Sequence, residues 1–352
     1  MEGEISNFIS ILLQVIASLC YCYMIGKNVP KGLPTLLAIL PTLMLFLTLP
    51  LHLQTMHLVG ILSFFISWLA NSKLLLFAFD KGPLSDPSMS LKHFLVVASF
   101  PVKIKSKNDT RTTSPRHKSP WSCIIKGIIF AGVLTTYKFG DYIPTIILYS
   151  LYCMHVYLCL EIILALVSVL VRTLLGVQPD PHFNEPYLSS SLQDFWSRRW
   201  NLAVTNILRL TFFEPTYRLV MPILGPKIAP FPAVFVTFLA SGLIHELIFY
   251  YLGRAKPTWE ITCFFVLHGL CILLEVFCKR KLANKLRLPR MVSGPLTLGF
   301  VMVTAFWLFF PQLLRCNGVQ RALQEFHAVG NFLKDTLSLC FDALTSTLLA
   351  MI

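Results

Sequence analysis

His245 and Glu246 stand side by side in SGLIHELIFYYL, residues 241–252, inside an apolar run long enough to cross a bilayer. An ionisable side chain at that depth is costly to desolvate. On a straight helix His245 lies roughly 20 Å in from Pro232, about thirteen residues away. HELIF is not a zinc signature, because the second histidine that would complete one ligand face is here Phe249. Among hydrocarbon an imidazole is favoured in its neutral form, which can accept a proton from a hydroxyl. A general base is therefore one reading of His245; a packing histidine bonded to a carbonyl of a neighbouring helix is the other. Glu246, about 100° further round the helix, reads as a structural partner for a basic group on another helix.

Other ionisable residues fall within apolar runs: His155, Glu161, His268 and Glu275. His268 and Glu275, seven apart, share a helix face, and a proton-coupled membrane transporter could use such a set. A simple ion pathway has no need, however, of the aromatic and amide-rich stretch FNEPYLSSSLQDFWSRRWN, residues 183–201.

That stretch belongs to the least lipid-like part of the second half, residues 177–227. Its polar backbone and side chains cannot lie naked in hydrocarbon, so it lines a cavity or rests at the cytosolic interface. Leu192, Phe195, Trp196, Trp200 and Val204 recur at spacings of three and four, which predicts an amphipathic helix with basic residues opposite. An interfacial anchor with tryptophans at headgroup level has the same spacing.

The elements that must hold these residues are set by composition. Of 352 residues 55% are hydrophobic and 13% charged, against about 25% charged in soluble domains. The chain reads as one all-α domain, 1–352, a polytopic transmembrane bundle of about eight spans. Apolar runs place them near 7–25, 33–50, 56–79, 121–137, 142–175, 228–252, 258–278 and 291–313. The fifth run is too long for one perpendicular span and is expected to tilt, break or divide. Acidic residues at the start and the length of the first run argue for a retained span rather than a cleaved leader.

The net charge of +13 does not point to nucleic acid, because Lys and Arg cluster in short segments between apolar runs. Lys27 and Lys31, the segment 101–120, the arginines after the fifth run and CKRKLANKLRLPR (278–290) fall on one side by the positive-inside rule, the cytosol. Both termini then lie opposite; Arg254 and Lys256 dissent. Residues 101–120 read as a basic mobile cytosolic loop. Most of the ten cysteines sit in apolar runs without metal-like spacing and read as small buried hydrophobes.

FNEPYLSSSLQDFWSRRWN, followed 44 positions after Asn201 by the histidine of SGLIHELIFYYLGR, resembles the membrane-bound O-acyltransferase superfamily. With FFISWLANSKLLLFAFDKGPLS (64–85) and LTLGFVMVTAFWLFFPQL (296–313), the chain resembles more narrowly the plant wax synthases, which join long-chain acyl groups to fatty alcohols. The resemblance implies a helical bundle enclosing a reaction chamber in the endoplasmic reticulum membrane. Acyl-CoA would come from the cytosol as co-substrate and the acceptor from the membrane. It also implies His245 as catalytic base with Asn201 as its partner. Arg198 and Arg199 are then candidates for the CoA phosphates, or else ordinary cytosolic anchors. Trp196 and Trp200 would wall the tunnel, stack on adenine or simply pack. No metal or other cofactor is needed, since a thioester is already activated. Fatty alcohol is the first acceptor implied, with sterol and diacylglycerol as alternatives.

Overall fold

A computed structural model describes residues 2–101, 120–177, 179–281 and 289–350; among these the regular elements are all helices. Seven are long and apolar enough to cross a membrane: α1 (Gly3–Asn28), α2 (Leu33–His52), α3 (Met56–Ala78), α6 (Thr145–Leu175), α9 (Pro230–Gly253), α10 (Glu260–Lys281) and α11 (Arg290–Arg315). Between and after them lie α4 (Leu91–Ser99), α5 (Pro120–Thr136), α7 (Leu202–Leu208), α8 (Glu214–Ile228) and α12 (Gly318–Ala350). The eighth expected span is α5, whose 17 residues extend only about 26 Å against a hydrocarbon core of about 30 Å.

The long fifth run neither breaks nor divides. It is one 31-residue helix, about 46 Å long, and must tilt or project beyond the bilayer. Gly176, at φ 67°, ends it in the left-handed conformation that glycine adopts without steric cost. The basic stretch expected to be a loop, 101–120, lies outside the described residues except at its two ends.

Arg254, which dissented from the charge pattern, has a structural task. Its guanidinium donates to the carbonyls of Pro50 (2.8 Å) and Leu53 (3.0 Å), tying the end of α9 to the turn between α2 and α3. Lys73 likewise lies buried in α3 and donates to the carbonyls of Val97 (2.6 Å) and Phe100, at the C-terminal end of α4. A cation there meets carbonyls that lack partners within the helix.

The pairing that positions the candidate site is α9 against α10. Gly242 allows the close approach: a Cβ there would stand 2.8 Å from Thr262 Cα. One turn on, the buried Glu246 accepts a hydrogen bond from the Thr262 N–H (3.2 Å), in the first turn of α10. The partner of Glu246 is thus a helix N-terminus and not a basic side chain as expected. An early N–H of a helix has no acceptor within it, and the helix dipole favours a carboxylate there. Gly242→Ala is expected to destabilise the protein by about 1–3 kcal/mol, as overpacking of a tight contact does. Thermal unfolding in detergent checks this, and an unchanged midpoint would show that the α9–α10 contact yields easily.

Candidate active site

His245, Asn201, Trp196 and Trp200 line one cavity of about 1630 Å³, walled mainly by apolar side chains of α3, α5, α6, α9, α10 and α11 and by the segment 186–213. His245 faces it from α9 and packs against Phe265 of α10, with ring centroids 4.3 Å apart, and against Phe309 of α11 at 6.3 Å. Its Nδ1 lies 2.7 Å from the carbonyl oxygen of Ser241, four residues earlier on the same helix. A carbonyl only accepts, so the proton of neutral imidazole sits on Nδ1. Nε2 is left with its lone pair as the basic nitrogen.

Asn201 comes from the tryptophan-rich segment, which does not form the single amphipathic helix expected from its spacing. Residues 192–199 are helical, Trp200 is extended, Asn201 is left-handed (φ 36°, ψ 69°), and α7 starts at Leu202. The break has a local cause. Asparagine tolerates the left-handed region, and Asn201 Oδ1 accepts from the Val204 N–H (3.4 Å) as N-cap of α7. With Oδ1 so engaged, the amide N–H₂ is the group Asn201 has left to donate in the cavity wall.

Arg199 anchors this irregular segment. Its Nε donates to Asp194 Oδ2 (2.7 Å), and its terminal nitrogen donates to the carbonyls of Asn184 and Glu185, each at 3.3 Å. Burial pushes the Asp194 carboxyl up, yet the hydrogen bonds from Arg199 and the Ser190 N–H outweigh it and hold the group below the usual carboxylate range. The stabilisation is therefore full above the ordinary Asp range and is lost as pH falls through the lower folded value.

Trp196 and Trp200 are fixed by packing. Trp200 stacks on Phe195 (5.4 Å, 18° between planes). Trp196 Nε1–H donates to His268 Nδ1 at 2.9 Å, and His268 Nε2–H donates to Thr304 Oγ1 at 2.8 Å. The Thr304 hydroxyl in turn donates to the Phe300 carbonyl (2.7 Å). His268 is fully buried, with both ring nitrogens engaged. The remaining residues of the transport reading have separate partners too: Lys126 donates to Glu161, Lys279 donates to Glu275, and His155 packs among the rings of Phe130, Tyr137 and Phe326.

Arg198 faces a second, smaller recess of about 410 Å³, shared with Arg199, Lys279, Arg290 and Asp194. Gln193 borders both this recess and the large cavity. Lys279 and Arg290, from the basic segment 278–290, are further cationic contributors to this recess. Phe265, Phe309 and Thr304 carry no local signal that separates them from other lipid-span residues.

Residues 179–267, the stretch that holds both Asn201 and His245, match the model of the membrane bound O-acyl transferase family. The chain is 44% identical to acyl-CoA--sterol O-acyltransferase 1 of Arabidopsis thaliana, covering 93% of this chain and 96% of that protein. It is 43% identical to the long-chain-alcohol O-fatty-acyltransferase of Simmondsia chinensis over 96% and 98% of the two chains. A probable long-chain-alcohol O-fatty-acyltransferase 1 of Arabidopsis thaliana is 45% identical over 92% and 96%.

His268→Leu is expected to leave the half-buried Trp196 N–H without an acceptor, at about 1–3 kcal/mol. His268→Gln, which offers both an acceptor and a donor, should recover part of that loss. Comparing the two unfolding midpoints checks the relay, and equal midpoints would contradict it.

Proposed function

The chain belongs to the membrane bound O-acyl transferase family, and we propose that it moves a long-chain acyl group from acyl-CoA to a fatty alcohol, giving a wax ester and free CoA. The observation that carries the reading is the 2.7 Å contact of His245 Nδ1 with the Ser241 carbonyl, which leaves Nε2 basic in the wall of an apolar cavity. In the proposed reaction Nε2 takes the proton of the alcohol as its oxygen attacks the thioester carbon. The C–S bond then breaks, and the proton passes to the departing CoA sulfur. General-base assistance of this kind contributes about 10²–10⁴-fold. The Asn201 amide N–H₂ would donate to the carbonyl oxygen as negative charge develops on it, a role worth about 10²–10³-fold in comparable sites.

Acyl-CoA itself is the only cofactor-like molecule required. Its phosphates suit the cationic recess of Arg198, Lys279 and Arg290, where guanidinium and ammonium groups can pair with phosphate oxygens. Gln193 lines both recess and cavity, which supports placing the anionic head in the one and the reacting end in the other. Arg199, already bonded to Asp194 and two carbonyls, would support that recess more than bind in it. Trp196 and Trp200 would wall the acyl passage. A bulky ester remains in the bilayer, which suits a multi-pass enzyme of the endoplasmic reticulum membrane.

Fatty alcohol is favoured as acceptor by two of the relatives, named long-chain-alcohol O-fatty-acyltransferases. Sterol is the second reading, because a relative of equal similarity is named a sterol O-acyltransferase.

The test is expression in a yeast strain lacking neutral lipids, supplied with fatty alcohols and labelled acyl-CoA. Wax ester is expected; steryl ester or triacylglycerol in its place would reassign the acceptor, and transport without ester would overturn the reaction. His245→Ala should lower ester formation by at least about 10²-fold. Asn201→Asp keeps an oxygen for the Val204 N–H but loses the amide donor, and should lower turnover by about 10²-fold or more. Full activity in either variant at normal expression would remove that residue from the mechanism. Arg198→Ala together with Lys279→Ala is expected to raise the KM for acyl-CoA with little change in kcat, whereas an unchanged KM would move the phosphates elsewhere.

A further inference from the structure

The cavity continues beyond His245 toward the face opposite the basic segments, where Met56, His57, Gly60, Leu252 and Ala322 line it. Leu252 is seven residues past His245, and a Cβ on Gly60 would lie 3.8 Å from its side chain. His57 is one turn further along α3, so this end lies roughly 15 Å from the proposed base along the helix axes. What stands across it is α12, the long helix that follows the last apolar run.

Two oppositely charged side chains of α12 hold it there. Glu325 accepts hydrogen bonds from the N–H groups of Met56 (2.5 Å) and His57 (3.0 Å), at the start of α3, and lies 2.6 Å from His57 Nδ1. Arg321, one turn earlier, donates to the carbonyl of Leu252 near the end of α9 (2.7 Å) and to that of Gln54 (2.7 Å). An acid on a helix N-terminus and a base on a helix C-terminus both satisfy backbone groups that lack partners within their own helices. Ala322 lies between the two arms and faces the cavity. Phe326 closes the surround, edge-on to His57 (4.5 Å) and to Phe130 (5.7 Å).

A base that accepts a proton from an alcohol accepts one equally well from water. Hydrolysis would form a C–O bond to the water oxygen, break the C–S bond, and pass the water proton to the CoA sulfur, releasing fatty acid. Nothing at His245 distinguishes the two hydroxyl compounds, so the distinction has to come from access. We propose that α12, held by the Glu325–His57 and Arg321 clamp, seals this end of the chamber against water and so sets the preference for a lipid hydroxyl as acyl acceptor. The inference rests on the acyl-transfer reading above. Glu325, His57 and Arg321 are positioning residues, remote from the reacting atoms.

The full-length protein in lipid nanodiscs, given labelled acyl-CoA and fatty alcohol, reports the ratio of free fatty acid to ester. Glu325→Ala and Arg321→Ala are each expected to raise that ratio at least about threefold while ester synthesis persists. Cys159, which also lines the cavity, supplies a second readout. Its labelling by a water-soluble maleimide, defined by the signal lost in a Cys159→Ser background, should rise in both variants. A ratio and a labelling rate unchanged from the unmutated protein would overturn the seal. Should Glu325→Ala fail to yield folded protein, Arg321→Ala decides by the same two measurements. Absence of ester from the unmutated protein would instead defeat the acyl-transfer reading, so the two failures are distinct.

Discussion

The hydrogen bond from His245 Nδ1–H to the Ser241 carbonyl is the constraint on which the proposed chemistry depends. It is short and lies within one helix. It fixes where the proton of the ring resides, and thereby which nitrogen is basic. Phe265 and Phe309 hold the ring against rotation, and Gly242 with Glu246 brings α10 close enough for Phe265 to do so. A buried histidine without such a bond could adopt either tautomer. His268 provides the contrast inside the same molecule: both of its nitrogens are engaged, and it joins Trp196 to Thr304.

The second constraint is that irregular backbone at or near a bilayer needs protein partners. Residues 182–202 meet it through polar contacts of their own. The His182 carbonyl accepts from the Leu202 N–H (2.8 Å), the Asn184 N–H donates to the Arg199 carbonyl (3.0 Å), and Arg199 gathers Asp194 and two further carbonyls. These contacts allow the chain to turn at Trp200–Asn201 and present an amide to the cavity. The same arrangement leaves Arg198 and Lys279 around a recess that adjoins the apolar cavity, and in the proposed reaction the two would take the charged and apolar halves of the acyl thioester.

The helical architecture was legible in the sequence, for physical reasons. Long apolar runs must be helices in a bilayer, and a histidine deep within one must be matched by something, so α9 and His245 stood out from composition and depth alone. The break at Asn201 was hidden, because residues 192–204 keep a helical spacing of apolar side chains through a point where one left-handed residue interrupts the backbone. Glu246 was assigned a basic partner because charge complementarity can be read from sequence; a backbone N–H at the start of another helix leaves no such mark. Arg254 looked like a misplaced topological charge until the carbonyls of Pro50 and Leu53 explained it. The clamp of α12 on α3 and α9 joins residues more than 250 positions apart in one arm and about 70 in the other, a relation that no local pattern encodes.

The most direct test of the central claim is a cryo-electron microscopic structure of the protein with a fatty alcohol and a non-reactive acyl-CoA analogue bound together. The account predicts the alcohol oxygen at about 2.6–3.2 Å from His245 Nε2, with Nδ1 still on the Ser241 carbonyl and the acyl carbonyl oxygen within reach of the Asn201 amide. An alcohol bound in the cavity with its hydroxyl directed away from His245, or a ring turned so that Nε2 meets the Ser241 carbonyl, would contradict it.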